Sequence, residues 1–256
     1  MEHFTVYDLL NEFGMRIDGR RPLEFRQFRT KLGVFVEPHG SAYLEQGCTK
    51  VLVAVYGPNR NSEKKATSSV DLDVEINCIV SIASFCKAIR KVYSAGDCET
   101  NEIARYVQQA MMAVIINKKY LNYTFDVVIE VLQIDGGHIA TAVNCAMLAF
   151  IDAGVDMREY VTACSAAVTP SGEIIRDIAH VEITAGAAPV TVALLSSSNR
   201  VLFAEMSQRF HVENFERVLE EALDGCREIL AMIDVQVRKH VENVMAITDA
   251  EAEPDM

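Results

Sequence analysis

Residues 131–154 read VLQIDGGHIATAVNCAMLAFIDAG, which is a strand, a tight turn and a helix in direct succession. The aliphatic run belongs to a predicted strand over 123–134 that is buried on both faces for part of its length. Gly136 and Gly137 form the turn, and the helix over 138–154 closes with a glycine C-cap. Backbone N–H groups at a helix start attract anions, so this turn has the form of a phosphate-binding loop.

The segments before this stretch alternate between apolar and polar residues, which predicts short strands joined by tight turns. Near Thr100 the period changes to that of an amphipathic helix, with Ile103 and Val107 on its apolar stripe. Alternation resumes after the central helix. The predicted strands cover residues 31–38, 41–47, 50–58 and 73–84, and four more lie between 160 and 207.

A long amphipathic helix over roughly 212–245 closes the fold. Residues 248–256 are acidic and are predicted to form a disordered tail. No Pro/Gly-rich linker interrupts the chain. The order of strands, helix, strand, helix, strands and long helix indicates one α+β domain over residues 1–247, with mixed β-sheets packed against helices.

Composition places the chain among globular proteins, because half of its 256 residues are apolar. No apolar run approaches the length of a membrane span, and the N-terminus lacks the basic segment of a secretory signal. Seven cysteines, an odd number without a CxxC pair, favour reduced thiols in an intracellular compartment. The six histidines are scattered, so neither a metal site nor a cofactor is predicted.

The net charge of −12 is unevenly distributed. Residues 1–100 hold 13 basic and 13 acidic residues, so the whole acidic excess lies in residues 101–256. An acidic protein is a poor general binder of nucleic acid, so any contact with RNA is expected to be local and N-terminal. The basic clusters there are Arg20, Arg21, Arg26, Arg29 and Lys31, then Arg60, Lys64 and Lys65, then Lys87, Arg90 and Lys91.

The usual signatures of several enzyme classes are missing. The chain has no GxxxxGKS/T, GxGxxG, GxSxG or HExxH motif. Their absence argues against a nucleotide hydrolase, a Rossmann oxidoreductase, a serine hydrolase or a zinc enzyme, but it does not exclude these classes.

Three stretches of the chain form one pattern when they are taken in order. They are RIDGRRPLEFR at 16–26, GSAYLEQGCTKVLVAVYGP at 40–58 and the segment over 131–159. This pattern resembles the RNase PH family of phosphate-dependent 3′-to-5′ exoribonucleases, over roughly residues 14–245. Within the family it most resembles a ring subunit of the eukaryotic RNA exosome, the counterpart of the catalytic subunit in the archaeal ring. We interpret RIDGRR and GSAYLEQG as fold elements, with Asp18 in local ion pairs.

The resemblance implies a reaction in which inorganic phosphate attacks the terminal RNA phosphodiester and releases a nucleoside diphosphate. The family holds that phosphate with a Ser or Thr hydroxyl, commonly followed by Arg, just after the two small residues of the loop. This chain has His138 and Ile139 at those positions. Only the backbone N–H groups of the loop are left to bind an anion.

The other two elements that the resemblance implies are also altered. The basic pair that grips RNA phosphates aligns with Cys98-Glu99, and Glu99 would repel phosphate. Of two carboxylates six residues apart, Asp177 is kept and Ile183 replaces the second, while Glu182 is expected to point elsewhere in an extended chain. The predicted vestigial phosphate site consists of Gly136, Gly137, His138 and Asp177, and no catalytic residue is predicted.

The favoured hypothesis is therefore a non-catalytic exosome ring subunit that serves as scaffold and RNA conduit in 3′-to-5′ RNA processing, including that of ribosomal RNA, and in RNA degradation. By resemblance, six RNase PH-like subunits form the ring, RNA-binding cap subunits lie on it, and a separate hydrolytic exonuclease receives the single-stranded RNA. The same resemblance implies a location in nucleus, nucleolus and cytoplasm. The predicted RNA contacts are Arg60, Lys64, Lys65, Lys87, Arg90 and Lys91.

Two other hypotheses stay open. The chain could be a working phosphorolytic exonuclease rebuilt around His138, Asp177 and Glu182, which requires those side chains to converge on one pocket. It could also be an RNase PH-fold protein outside the exosome, which a stable homohexamer would favour. For any single basic residue, an ordinary solvated loop is an alternative to RNA contact.

Overall fold

The computed structural model describes residues 9–60, 74–87, 89–94 and 96–252. Its first sheet has five strands in the spatial order β1-β2-β3-β5-β4, antiparallel except for the parallel pair of β4 and β5. The strands are β1 (Phe28–Leu32), β2 (Gly40–Gln46), β3 (Thr49–Arg60), β4 (Glu75–Ile82) and β5 (Tyr123–Gln133).

One face of this sheet is apolar because the sequence alternates at the period of a strand. Val51, Val53 and Val55 of β3 are fully buried on that face. They pack beneath helix α2 (His138–Asp152), while helix α1 (Cys98–Val114) packs on β4 of the same sheet. The strand, turn and helix predicted around the Gly-Gly turn are confirmed as β5, the turn and α2.

Helix α2 is the centre of the core. Every residue from Ile139 to Phe150 is buried, which is typical of a helix enclosed on all sides. It contacts β2 and β3 of the first sheet and β6 (Val161–Val168) of the second. The start of α2 is therefore fixed between two sheets.

The second half of the chain forms β6, β7 (Ile174–Arg176), α3 (His180–Thr184), β8 (Ala188–Leu195), β9 (Val201–Met206), a 3-10 turn at Val212–Asn214 and α4 (Phe215–Ala252). Its four strands make a second, antiparallel sheet in the order β7-β6-β8-β9. All residues of β6 are buried, since α2 covers one face of the sheet and α4 covers the other. Val218, Ala222 and Cys226 lie on the buried stripe of α4.

Two boundaries differ most from the sequence predictions. The strand predicted over 31–38 ends at Leu32, because Gly33 adopts a left-handed φ of +63° and the chain leaves the ladder. Helix α4 continues to Ala252 and so includes residues 248–252, which were assigned to the tail. Most residues of the predicted loop over 59–71 lie outside the described part. The single domain over 1–247 stays a prediction. Among the described helices, none has an apolar stretch long enough to cross a bilayer.

Candidate functional site

The Gly-Gly turn between β5 and α2 is held by close backbone packing. Gly136 and Gly137 have φ of +82° and +60°. A Cβ on Gly136 would lie 2.2 Å from the carbonyl oxygen of Ile178, and one on Gly137 would lie 2.9 Å from Oγ of Ser165. Thr49 Oγ1 also donates a hydrogen bond of 2.8 Å to the Gly136 carbonyl. Only glycine fits both positions. These packing contacts therefore fix the shape of the loop, whether or not the loop binds phosphate.

A pocket of about 440 Å³ opens at the start of α2, and we call it the α2 pocket. It brings together six positions that the sequence singled out, which are Lys87, Glu99, Gly137, His138, Ile139 and Ile183. Ile139 is buried and Ile183 packs in a small apolar cluster. The pocket therefore has apolar walls at two positions where the resemblance calls for a phosphate donor and a carboxylate.

His138 is a weak substitute for a cationic donor. Its pKa is lowered to about 4, mainly by burial and further by the nearby charge of Lys87, with the charge of Glu99 partly opposing both effects. The imidazole is consequently neutral at pH 7. A neutral ring can accept or donate one hydrogen bond but adds no positive charge against phosphate.

The start of α1 carries an acidic residue where the resemblance requires a basic pair. Cys98 is exposed. Glu99 accepts hydrogen bonds from Lys87 Nζ at 3.2 and 3.1 Å. Burial lowers the pKa of Lys87, but the hydrogen bond and charge of Glu99 outweigh it and raise that pKa. The lysine closest to the α2 pocket is therefore already paired within the chain.

Asp177 does not line the α2 pocket. Its side chain is 1% exposed, and Arg26 donates to it from Nε at 3.0 Å, from Nη2 at 2.6 Å and from the backbone N–H at 2.7 Å. Burial alone would lower the pKa of Arg26, but the hydrogen bond and charge of Asp177 raise it. Both carboxylate oxygens accept bonds from one buried guanidinium, which makes Asp177 an anchor for residue 26.

Glu182 is bound in a second buried ion pair, with Arg16. Arg16 Nε donates to Glu182 Oε1 at 2.6 Å, and the Ala179 backbone N–H donates to Oε2 at 2.9 Å. The expectation of an extended chain here was wrong, because the Ala179 cap and the Glu182 side chain start the short helix α3. Glu182 points away from the α2 pocket into a separate cavity beside Arg26.

The RIDGRR motif has the structural role that the sequence indicated. Asp18 accepts a 2.6 Å bond from Arg20 Nε, and Arg16 Nη2 donates to the Asp177 carbonyl at 2.9 Å. These contacts fasten the N-terminal segment to residues 176–182. The three residues of the rival catalytic hypothesis do not converge, because only His138 lines the α2 pocket.

A second and larger space, of about 1020 Å³, lies on the other side of the Lys87–Glu99 pair, and we call it the basic cleft. Lys91 lies 4.5 Å above the ring of Tyr93 at its edge. The cleft is lined by Cys48, Lys50, Phe85, Cys86, Lys87, Ile89, Lys91, Tyr93, Glu99, Leu132, Gln133, Ile134, Asp135 and His180.

The predicted RNA contacts are only partly gathered at this cleft. Lys87 and Lys91 line it, Arg90 is exposed on the same loop, and Arg60 lies at the end of β3 outside the lining. Lys64 and Lys65 fall outside the described residues. Lys50 and Phe85, the latter 71% exposed, line the cleft but were missed. Phe85 lies two residues before Lys87. An aromatic residue so close to a basic one is a sequence signal for RNA binding, and it could have identified Phe85.

A metal site is not evident in the described part of the chain, where no group of three or more His, Cys, Asp or Glu residues is placed to hold an ion.

Comparison with known proteins gives one consistent result. The family model RNase PH, described as the 3′ exoribonuclease family, domain 1, matches residues 24–156. The human protein named exosome complex component RRP41 is 39% identical over 91% of this chain and 95% of its own length. The Pyrococcus horikoshii exosome complex component Rrp41 is 34% identical over 90% of each chain.

Two solved structures share the fold. The crystal structure of rice Rrp46 superposes with a TM-score of 0.76 at 21% identity and covers 87% of this chain and all of its own. A chain of the Archaeoglobus fulgidus exosome, in a structure described as having RNA bound to the active site, gives a TM-score of 0.71 at 18% identity and covers 86% of this chain and 93% of its own.

Proposed function

Because this chain belongs to the RNase PH family of 3′ exoribonucleases, we propose that it is a non-catalytic subunit of an RNA exosome ring. It scaffolds the ring and conducts single-stranded RNA for 3′-to-5′ processing and degradation. The observation that carries the proposal is the α2 pocket, where Ile139, Ile183 and Glu99 occupy the three positions at which the family needs donors or an acid.

Phosphate binding is disfavoured in this pocket by electrostatics. A phosphate at the start of α2 would meet the neutral ring of His138 and the carboxylate of Glu99, while Lys87 is held by that carboxylate. Losing a single well-placed electrostatic donor typically costs about 10²–10³ in rate. The α2 amides alone cannot replace a hydroxyl, an arginine and a basic pair.

The acid function is missing for a separate reason. A general acid must reach the leaving oxygen within hydrogen-bond distance. Asp177 is enclosed behind the loop by Arg26, and Glu182 is enclosed by Arg16. Freeing either carboxylate would leave a buried arginine without its partner, so these side chains support the fold.

RNA contact is assigned to the basic cleft and to the loops beside it. Single-stranded RNA is held by basic grooves that follow the phosphates and by aromatic side chains that stack on bases. Lys50, Lys87 and Lys91 supply the charge and Phe85 supplies an exposed ring. Arg60 and Arg90, with Lys64 and Lys65 outside the described residues, extend this proposed path.

The proposed partners follow from the relatives. Curated proteins that this chain resembles over nearly their whole length are named exosome complex components of the RRP41 type. We therefore assign this chain to a six-membered ring of RNase PH-like subunits, with cap subunits that bind RNA and a hydrolytic exonuclease that degrades it. A nuclear, nucleolar and cytoplasmic location belongs to the same proposal.

The family description also supports a second candidate, a phosphate-dependent 3′-to-5′ exoribonuclease with a rearranged site. It requires a partner subunit to supply the donors that this pocket lacks. The two candidates differ in one product, because only phosphorolysis releases nucleoside diphosphates.

The conduit role is tested by RNA protection in the assembled ring. Replacing Lys91 with Glu should shorten or weaken the protected RNA footprint, since a cation that contacts phosphate becomes an anion. Lys118→Glu is the matched control, because Lys118 is exposed and follows the opposite end of α1. Equal footprints for Lys91→Glu, Lys118→Glu and the unchanged ring would contradict the assignment of the cleft.

A further inference from the structure

The α2 pocket has an acidic wall that the lost phosphate chemistry does not explain. Beyond the Lys87–Glu99 pair it is lined by Glu102 of α1 and Glu205 of β9. Three carboxylates therefore face one ammonium group, and His138 adds no charge at pH 7. The pocket is unsuited to any phosphate and suited to a cation.

Two of these carboxylates have no counter-charge within the part of the chain that the structure describes. Within the described residues, neither Glu102 nor Glu205 forms an ion pair. The pKa of Glu205 is raised, chiefly by burial and also by the charge of Glu102, although hydrogen bonds from Ser207, at 3.1 Å, and from Thr191 oppose the rise. A half-buried carboxylate beside another carboxylate is unfavourable until a positive group is placed between them.

A buried hydroxyl gives an independent indication of a ligand. Ser165 is 4% exposed and lines the α2 pocket, with its Oγ directed toward Gly137. Its hydroxyl makes no hydrogen bond with any part of the chain that the structure describes. The fully enclosed side-chain atoms without a partner do not include Oγ of Ser165, so this hydroxyl is open to the pocket and available to a ligand that enters it.

We propose that the α2 pocket is a socket for a basic side chain, an arginine or a lysine, of a neighbouring protein subunit. The geometry suits arginine best, because a planar guanidinium can bind a carboxylate with two hydrogen bonds and reach a hydroxyl with a third. This inference rests on the proposed function, in that the neighbour is a subunit of the same ring. On this proposal, the α2 pocket, which corresponds to the phosphate site of the family, stabilises assembly of the ring.

The test is assembly with purified RNase PH-like partner subunits, using the full chain. Glu102→Gln combined with Glu205→Gln removes both charges and keeps side-chain size. Dissociation constants are measured by titration at low and physiological salt. We expect the double variant to bind its neighbour at least about tenfold more weakly, because an interfacial cation loses its carboxylates.

A matched control separates the socket from general charge effects. Glu216→Gln combined with Glu220→Gln removes the same charge from exposed positions on α4 and should leave the dissociation constant unchanged. Equal affinities for the pocket variant and the unchanged chain would overturn the inference, as would equal losses in the two double variants. Circular dichroism and thermal melting establish that each variant is folded.

Titration of the unchanged chain with inorganic phosphate distinguishes the proposed socket from an anion-binding site. Saturable binding that is lost in His138→Ala would mean that the pocket is an anion site, which overturns the socket. Absence of phosphate binding supports it. Failure of the unchanged chain to join any RNase PH-like partner would instead contradict the proposed function, so the two failures are distinguishable.

Discussion

Lys87 Nζ lies 3.1 and 3.2 Å from the two carboxylate oxygens of Glu99, and this ion pair forms the wall between the basic cleft and the α2 pocket. On one side the chain presents lysines and an exposed phenylalanine. On the other it presents glutamates and isoleucines where phosphate chemistry would require donors. The Lys87–Glu99 pair thus separates the basic cleft, which is proposed to hold RNA, from the α2 pocket, which is proposed no longer to support phosphorolysis.

Asp177→Asn should destabilise the fold. The change keeps a residue that tolerates the left-handed backbone at φ +49° but removes the charge opposite buried Arg26. Breaking a buried pair typically costs about 3–5 kcal/mol. Urea unfolding measures this free energy. Asp135→Asn is the control, because Asp135 is 27% exposed and 3.5 Å from Arg26, and its variant should lose much less. Equal losses would contradict the anchoring role of Asp177.

His138 should make stability depend on pH in acid. Its folded pKa of about 4 lies below the unfolded value of 6.5, so the unfolded chain binds more protons between these values. Stability contributed by the neutral ring is present above pH 6.5 and is lost as the pH falls toward 4, by up to about 3 kcal/mol. In His138→Gln, the free energy of unfolding should depend less on pH over this range. An identical pH dependence in that variant would show that other groups cause it.

Replacing the altered donors should restore anion binding. Glu99→Arg combined with Ile139→Arg removes a negative charge, releases Lys87 and adds two guanidinium groups to the α2 pocket, one from the start of α1 and one from the start of α2. We expect inorganic phosphate to bind at least about tenfold more tightly than to the unchanged chain. Calorimetric titration checks this, with the conservative Glu99→Gln as control. No gain in the double variant, provided it is folded, would mean that the pocket geometry is also lost.

Phe85→Ala should weaken RNA binding by the assembled ring. Stacking of one base on an aromatic ring contributes about 1–3 kcal/mol, so the dissociation constant should rise roughly five- to 150-fold. Phe13→Ala is a suitable control, because Phe13 is also exposed and is not among the residues that line the basic cleft. Fluorescence anisotropy with a single-stranded RNA measures both. Similar affinities for the two variants would remove Phe85 from the RNA path.

Local periodicity was sufficient to predict most of the fold. The alternation in β3 and β5 and the helical stripes of α1 and α4 follow from burial on one face, and the glycines of the turn fix where α2 begins. The end of β1 was misplaced because alternation continues past Gly33, where only the backbone conformation changes. Periodicity cannot reveal such a break.

The site was predictable only where its residues are close in sequence or match the family pattern. Glu102, Ser165 and Glu205 meet in the α2 pocket from α1, β6 and β9, and nothing in their local sequence indicates this meeting. The side chain of Glu182 lies outside the α2 pocket as expected, but the extended backbone assumed there was wrong, because a capping interaction at Ala179 starts a short helix and Arg16 holds the carboxylate. Tertiary contacts determined both outcomes.

The loss of phosphorolysis is tested most directly by a product assay with the assembled ring and without the hydrolytic exonuclease. Single-stranded RNA, inorganic phosphate and Mg²⁺ are supplied, and released nucleotides are separated and identified. We expect RNA to be bound and no nucleoside diphosphate to appear. Release of diphosphates that stops in a ring carrying Ile183→Ala or His138→Ala in this chain would contradict it, because the α2 pocket would then be catalytic.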